Sequence, residues 1–167
     1  MPSGNNKQTG FTYLSILFVI AVAGVLFAQI GINWTQASQR EKETELLFVG
    51  NQYRQAIMLY YERTPGALKR YPARLEDLLT DNRYNPPQHY LRKLYRDPVT
   101  NSAGWGLIAA PGGGIMGVHS LSVKMPIKQA GFSYLDVGFE GTARYTDWRF
   151  SYIPQTLSAT HNSNINR

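Results

Sequence analysis

An unbroken uncharged segment near the N-terminus most constrains what this chain can fold into. Lys7 and Arg40 bracket 32 consecutive residues without a formal charge. Within that segment, residues 11–30 carry only three polar side chains. Twenty residues of helix, at about 1.5 Å per residue, span roughly 30 Å, which is the thickness of a bilayer's hydrocarbon core. The segment therefore predicts a helix that spans a membrane or is stored in one.

The residues before this segment indicate how the N-terminus is processed. An ordinary secretory signal is cut after its apolar stretch, at a site flanked by small residues. Ala21 and Ala23 formally offer such a site, but cutting there leaves a strongly apolar new N-terminus. Gly10, in contrast, stands directly before the bulky Phe11, where the apolar residues begin. A plain signal peptide or an uncleaved anchor is the alternative interpretation.

The junction between Gly10 and Phe11, followed by Thr12 and Leu14, resembles the processing site of the type IV pilin and type II secretion pseudopilin superfamily. The resemblance implies that prepilin peptidase cuts between Gly10 and Phe11 and methylates the new amine of Phe11. It also implies a set of residues that act in filament assembly: Phe11, Thr12, Leu14 and Ser15. The family usually has a glutamate at the position of Ser15.

Beyond the apolar segment, residues 35–63 contain no proline and predict that the helix continues with an amphipathic character. Apolar side chains recur at three- and four-residue spacing, which predicts one buried stripe: Leu46, Val49, Tyr53, Ile57 and Tyr60, or Tyr61 in place of Tyr60. Polar and charged residues are expected to fall largely off that stripe: Arg40, Glu43, Gln52, Arg54, Gln55 and Glu62. The Pro-Gly pair at residues 65–66 predicts the end of the helix, because proline cannot continue it and glycine permits a reversal.

The C-terminal half predicts a small antiparallel sheet. Residues 105–109 and 115–123 are expected to form two strands joined by a glycine-rich turn at 111–114. A third strand is expected at 147–153, where aromatic residues alternate with polar ones. A further short strand is expected within 124–146. The sheet is predicted to cover the tyrosine-rich side of the long helix.

The segment between helix and sheet also resembles the head of a major pseudopilin. Tyr71-Pro72 precedes a predicted short helix at residues 73–80, as in that family. Asp97-Pro98 resembles the residues that lead into the family's sheet, although the tryptophan and glycine that usually follow at once are delayed in this chain. The resemblance thus extends, in part, to the head.

These features predict an α+β, pilin-like fold in which a long N-terminal helix, half transmembrane and half amphipathic, packs on a small antiparallel sheet. The expected domain organisation has four parts: a leader at residues 1–10 removed by prepilin peptidase, a transmembrane and filament-core helix at 11–34, a periplasmic globular head at 35–154, and a disordered tail at 155–167.

No arrangement typical of catalysis or metal binding stands out in the sequence. The histidines are His89, His119 and His161. Their separation lacks metal-ligand spacing, so surface or packing positions are expected. Asp136, Glu140 and Asp147 offer oxygen ligands, and major pseudopilins hold a calcium ion in a C-terminal loop. Because the spacing matches neither that loop nor an EF-hand, we expect no metal, no cofactor and no enzymatic activity.

The chain carries a net charge of +6, and its basic residues recur singly or in pairs instead of in one block. A solvated cationic surface is the plain interpretation, and anionic lipid or nucleic acid the sharper ones. Some pilins bind DNA during uptake, but without a clustered patch the sequence does not favour nucleic acid as a partner. The absence of cysteine excludes disulfides and thiolate metal sites.

The resemblance implies a structural role, as a pseudopilin subunit in the filament of a type II secretion system, stored in the inner membrane and assembled through its N-terminal helix. The partners that it implies are homologous pseudopilins or pilins, prepilin peptidase, an inner-membrane assembly platform with its ATPase, and membrane lipid. One alternative is a minor type IV pilin used in adhesion or DNA uptake. The other is a singly anchored envelope hydrolase, for which the sequence offers no nucleophile or metal site.

The expected topology is a single pass with the N-terminus in the cytoplasm and the head in the periplasm. The count of basic residues near the helix ends points the other way, since Lys7 lies on one side and Arg40, Lys42 and Arg54 on the other. Long C-terminal domains often translocate regardless of charge, so the processing motif outweighs the count.

Overall fold

The computed structural model describes residues 9–154, except for the side chains of residues 9–11 and 25–35. Helix α1 spans Thr9–Glu62. A three-stranded antiparallel sheet has the order β1-β2-β3 and consists of Gly106–Ala109, Ile115–His119 and Phe150–Ser151. The described residues also contain three short 3-10 helices: Leu75–Leu78, Val137–Phe139 and Tyr145–Asp147. The fold is therefore α+β, with one long helix and a small antiparallel sheet, as predicted.

The chain divides into two compact units, residues 1–39 and 40–167. The second unit contains the sheet, the 3-10 helices and the part of α1 that follows Gln39. The first eight residues of the expected leader and the expected tail at 155–167 lie outside the described residues. Within the described part of the chain, no helix is both long and apolar enough to cross a membrane.

The predicted stripe of α1 forms the core of the second unit. Its members are buried, and Tyr60 instead of the partly exposed Tyr61 takes the last position: Leu46, Val49, Tyr53, Ile57 and Tyr60. The ring of Tyr53 packs edge-on against Trp105, directly before β1, with centroids 5.3 Å apart. Its hydroxyl accepts a hydrogen bond of 2.9 Å from the backbone N–H of Tyr95. At Tyr53 the helix is thus covered by Tyr95 and Trp105, two residues that precede the sheet and belong to none of its strands.

Helix α1 and strand β3 are in close contact at Gly50. A Cβ atom at this position would lie 2.5 Å from the ring of Phe150, which is fully buried. The glycine therefore has a packing role, and its cost in helix propensity is offset by contact with an aromatic side chain.

The predicted strands are longer than those in the structure. Strand β2 ends at His119 instead of residue 123, because the hydroxyl of Ser120 turns inward to donate to Asp97 and accepts the N–H of Ser122. Such side-chain bonds compete with a strand ladder. Strand β3 keeps the predicted alternation, with Phe150 buried and Arg149 exposed, but pairs over two residues only.

Two further predictions are corrected. The short helix expected at 73–80 is a single 3-10 turn, Leu75–Leu78. The described residues 124–146 contain no strand, since their backbone groups bond to the side chains of Glu43 and Glu140 and, through isolated backbone contacts, to other loop residues and 3-10 turns. The expected turn at 111–114 is present, and Gly114 has a φ of 83° there with its backbone against Tyr71 and Pro72. A side chain at Gly114 would clash with both residues.

Candidate assembly site and the anchors of the head

The residues predicted to act in processing and assembly lie in the first turns of α1. Gly10 and Phe11 are both helical, and the side chain of Phe11 lies outside the description. Thr12, Leu14 and Ser15 are exposed, Leu14 over 68 % of its surface. The roles of these five residues in cleavage and assembly stay predictions.

This part of α1 exposes its own apolar side chains on all sides. Eight large ones are exposed between residues 13 and 22: Tyr13, Leu14, Ile16, Leu17, Phe18, Val19, Ile20 and Val22. Successive residues of a helix are turned by about 100°, so eight such side chains among ten residues cover all sides instead of forming a stripe. A helix that is apolar all round belongs in lipid or among other apolar chains.

Glu43 anchors a distant loop to α1. This side chain is buried, and its carboxylate accepts hydrogen bonds from the backbone N–H groups of Ile127 and Lys128 and from the hydroxyl of Tyr145, the last at 2.7 Å. Hydrogen bonds to a carboxylate are stronger than those between neutral groups. The loop is therefore attached to the helix by polar contacts at the start of the second unit.

Arg54 anchors a second loop through a buried ion pair. Its Nη1 lies 2.8 Å from Oδ1 of Asp136, and both side chains are about nine-tenths buried. Asn51 accepts a hydrogen bond of 2.7 Å from the same Nη1, and Ser133 donates one of 2.8 Å to Oδ2 of Asp136. Phe139 lies beneath the guanidinium, 5.9 Å from its carbon. A helix residue thus neutralises the carboxylate of this loop.

The three acidic residues considered for calcium do not converge. Asp136 is held by Arg54, whereas the carboxylate of Glu140 accepts the N–H of Gly131 at 3.2 Å. Asp147 is exposed in a separate 3-10 helix. Among the residues that the structure describes, no group of three or more acidic, histidine or cysteine side chains is arranged to hold a metal ion.

Arg83 fastens the C-terminal end of α1. Its guanidinium donates to both carboxylate oxygens of the buried Asp81, at 2.8 and 2.7 Å, and to the backbone carbonyl of Tyr60 at 3.0 Å. It also lies 3.6 Å from the centre of the Tyr60 ring. Burial raises the pKa of the Asp81 carboxyl, but the hydrogen bonds and charge of Arg83 outweigh it and hold that pKa below its usual value. A cation at a helix C-terminus also complements the helix dipole.

Asp97 organises the turn that leads to the sheet. It is fully buried, and its carboxylate accepts bonds from the N–H of Val99 at 2.9 Å and from the hydroxyls of Thr100 and Ser120 at 2.8 and 2.7 Å. Three donors therefore satisfy the buried carboxylate.

The two histidines that the structure describes take no part in these clusters. His89 is exposed beside the carbonyl of Leu79, and Nδ1 of His119 lies 2.9 Å from the carbonyl of Ser120. His161 lies outside the described residues.

Of the polar residues expected largely off the stripe, Arg40, Gln55 and Glu62 are exposed, whereas Glu43 and Arg54 are buried. A signal for Glu43 existed in the sequence, because it precedes Leu46 by three residues and so continues the stripe by one turn. Arg54 had no comparable signal, because its burial depends on Asp136, which is 82 residues away in the sequence.

Comparison with family models, curated proteins and solved structures found no match to this chain. Function is therefore inferred from the residues and from the geometry described above.

Proposed function

We propose that this chain is a non-enzymatic structural subunit of a pilus-like filament, most similar to a type II secretion pseudopilin. The observation that carries the proposal is the exposure of apolar side chains on all sides of α1 between residues 13 and 22. The same helix then presents a stripe that is buried in the core of the second unit. A helix with this division needs an apolar environment for its first part and supplies a packing surface in its second.

Storage in the inner membrane is the proposed resting state. The uncharged sequence continues beyond Gly24 as far as Gln39, which is enough for a helix to cross a hydrocarbon core. Lipid tails and neighbouring apolar helices are similar environments, so a subunit can exchange one for the other with little net hydrophobic change. Extraction then depends on an assembly platform driven by an ATPase. In the proposed topology the N-terminus is cytoplasmic and the head periplasmic.

Processing offers the sharpest test of membership in this class. The full chain is produced together with a prepilin peptidase, extracted from membranes and analysed by intact mass. The proposal expects a chain that begins at a methylated Phe11. Gly10→Leu should block cleavage, because the site must admit backbone closely. Gly4→Leu, in the same leader, is the matched control and should be cleaved normally.

Either of two masses contradicts the proposal. A product that retains Met1 in the presence of active peptidase indicates an uncleaved anchor. A product that begins near Gly24 indicates an ordinary signal peptide.

Filament assembly is tested separately through cysteine cross-linking. The chain contains no cysteine, so Leu14→Cys introduces a single reactive thiol in the exposed apolar part of α1. Cross-linked dimers should form when assembly proteins are present and should be lost when the ATPase is inactive. Leu68→Cys, on a loop of the head, provides a comparison for random collision. Equal cross-linking with and without ATPase activity would contradict assembly through the helix.

A minor type IV pilin used in DNA uptake is the second candidate. The observation that favours it is an exposed loop with Arg92, Lys93 and Arg96, in which the Lys93 ammonium lies 5.3 Å from the ring centre of Tyr95. Basic and aromatic side chains together suit single-stranded nucleic acid. A DNA mobility shift that is weakened by Arg92→Gln and Lys93→Gln, and unaffected by Arg149→Gln, would support this candidate over a secretion subunit.

A further inference from the structure

We propose that the head makes a membrane contact of its own, through residues 121–128 and the basic side chains beside them. Residues 121–128 are called the Glu43 loop, because Glu43 binds the backbone of Ile127 and Lys128. The partner is the surface of a bilayer that contains anionic phospholipid. The inference rests on the proposed storage of the N-terminal helix in a membrane, and it adds a second contact to that state.

Three segments of the chain converge at Glu43. The carboxylate binds the backbone of Ile127 and Lys128 in the loop and the hydroxyl of Tyr145. The backbone N–H of Tyr145 in turn donates to the carbonyl of Lys124 at 3.2 Å. Residues 40–43, 124–128 and 144–147 therefore lie together within the second unit.

Basic residues dominate this convergence. The three segments carry five of them: Arg40, Lys42, Lys124, Lys128 and Arg144. All but Lys128 are exposed, and Lys128 is partly buried. The same segments carry two exposed acidic residues, Glu41 and Asp147. The third acid, Glu43, is buried and already hydrogen-bonded.

Because more acidic than basic side chains are buried, the excess of basic residues on the surface of the head is larger still. Among the described residues, four acidic side chains are buried and only one basic one: Glu43, Asp81, Asp97 and Asp136, against Arg54. The surface is therefore more basic than the net charge of the sequence indicates. Such a surface attracts anionic lipid headgroups.

Exposed apolar side chains lie next to Lys124 in the sequence. Leu121, Val123 and Met125 occupy alternate positions of the Glu43 loop, and each exposes more than half of its surface. An interfacial segment of this kind buries apolar side chains at the boundary of headgroups and acyl chains while lysines contact phosphates. A nucleic acid would engage the charges but leave the three apolar side chains in water. Charge and apolar exposure together therefore favour a lipid surface.

The anchor also lies at a suitable place in the sequence. Glu43 follows by four residues the end of the uncharged segment at Gln39. A chain already held in the membrane by that segment presents the loop to lipid at high effective concentration, so a modest intrinsic affinity suffices.

Single-cysteine probes on the full chain test the contact. A polarity-sensitive fluorophore is attached to Leu14→Cys, Val123→Cys or Leu68→Cys in a chain that otherwise lacks cysteine. Each protein is reconstituted into vesicles of phosphatidylcholine alone or with phosphatidylglycerol. We expect the fluorescence of the Leu14 probe to be blue-shifted, and quenched by spin-labelled lipid, in both kinds of vesicle. The Val123 probe should respond only with phosphatidylglycerol, and the Leu68 probe in neither.

Charge variants identify the cause of the response. One basic residue near an anionic surface raises the equilibrium constant for membrane contact about fivefold. The double variant Lys124→Gln, Arg144→Gln should therefore lower the equilibrium constant for membrane contact at the Val123 probe about 25-fold. Arg70→Gln with Arg92→Gln removes the same charge elsewhere on the head and should change nothing. Circular dichroism confirms folding, and Met125→Cys replaces Val123→Cys if that variant does not fold.

The outcomes separate this inference from the proposed function. If the Leu14 probe stays in water, storage of the helix in a membrane is wrong. If the Leu14 probe enters and the Val123 probe stays in water with phosphatidylglycerol, the loop contact is overturned while the proposed function stands. An equal response of the Val123 probe in both vesicles, or a loss caused by the control pair, also overturns the role of these basic residues.

Discussion

The carboxylate of Glu43 accepts a hydrogen bond of 2.7 Å from the hydroxyl of Tyr145, which lies 102 residues further along the chain. The same carboxylate binds two backbone N–H groups of the loop at residues 127 and 128. Besides its apolar and aromatic contacts and the polar contacts of Arg54 and Arg83, the helix is thus held by a buried carboxylate at this point. Removing this acceptor should therefore cost more than removing any one of its donors, because three hydrogen bonds to the carboxylate are lost together.

Glu43→Ala should therefore destabilise the head more than any substitution of its donors. Each buried donor left unpaired costs about 1–3 kcal/mol, so we expect a loss of roughly 3 kcal/mol or more, against about 1 kcal/mol for Tyr145→Phe. Chemical unfolding of the full chain in detergent, followed by near-UV circular dichroism, measures both. Glu41→Ala, on the exposed side of the same turn, is the control. Equal stability of Glu43→Ala and Glu41→Ala would disprove this account.

The ion pair of Arg54 and Asp136 should behave as a unit. Removing one member of a buried pair typically costs about 3–5 kcal/mol, because an uncompensated charge remains. For Arg54→Met the loss of stability should be near the lower end of that range, because Asn51 and Ser133 still donate hydrogen bonds to the Asp136 carboxylate. The double variant Arg54→Met, Asp136→Asn should lose less than the sum of the single variants. Additive losses in the same unfolding assay would show that the two charges are not coupled.

Gly50→Ala should lower stability although alanine is the better helix former. Propensity favours alanine by about 1 kcal/mol, whereas overpacking a filled core costs about 1–3 kcal/mol. The new methyl group would lie 2.5 Å from the ring of Phe150, so overpacking is expected to prevail. Gly24→Ala, on the same helix with no atom within 4 Å of the added carbon, is the control and should not destabilise. Partial recovery in Gly50→Ala, Phe150→Leu would assign the effect to this contact.

The contact between Asp81 and Arg83 should make stability depend on acid pH. The folded pKa of Asp81 lies below its ordinary value of 3.8, so the pair stabilises the head fully above that value and loses its effect as pH falls through the folded pKa. The melting temperature of the wild type should therefore exceed that of Asp81→Asn at pH 7, and the difference should shrink below pH 3.8. A difference that is constant from neutral to strongly acid pH would contradict the assignment. Asp147→Asn, an exposed acid, serves as the control.

Ser15 should not be required for assembly. In the resembled family a glutamate at this position pairs with the N-terminal amine of the adjacent subunit, and a buried charge that loses its partner costs about 3–5 kcal/mol. Serine supplies no such charge, so Ser15→Ala should leave filament formation nearly unchanged. Ser15→Glu should be neutral or should promote incorporation into the filament body. Counting filaments in sheared surface fractions tests both, with Ser38→Ala as the control; loss of filaments in Ser15→Ala would show that the hydroxyl itself is needed.

Local sequence determined the elements whose cause is local. The absence of proline from residues 35–63 and the three- and four-residue spacing of the stripe predicted a helix close to the observed Thr9–Glu62, with the correct buried face. The glycine-rich turn at 111–114 and the α+β class followed from the same kind of pattern. Helical periodicity and turn chemistry act over a few residues, and for that reason a single sequence reveals them.

Only the tertiary structure decided where the strands end and which charges are buried. Strand β2 stops at His119 because Ser120 bonds to Asp97, which lies 23 residues earlier. Glu43 is buried because backbone N–H groups 84 and 85 residues away satisfy its carboxylate. From the sequence alone, a charged side chain is predicted to lie on the surface. Its burial is favourable only when donors elsewhere in the chain compensate the lost hydration. That compensation is a property of the folded chain and leaves no periodic pattern in the sequence.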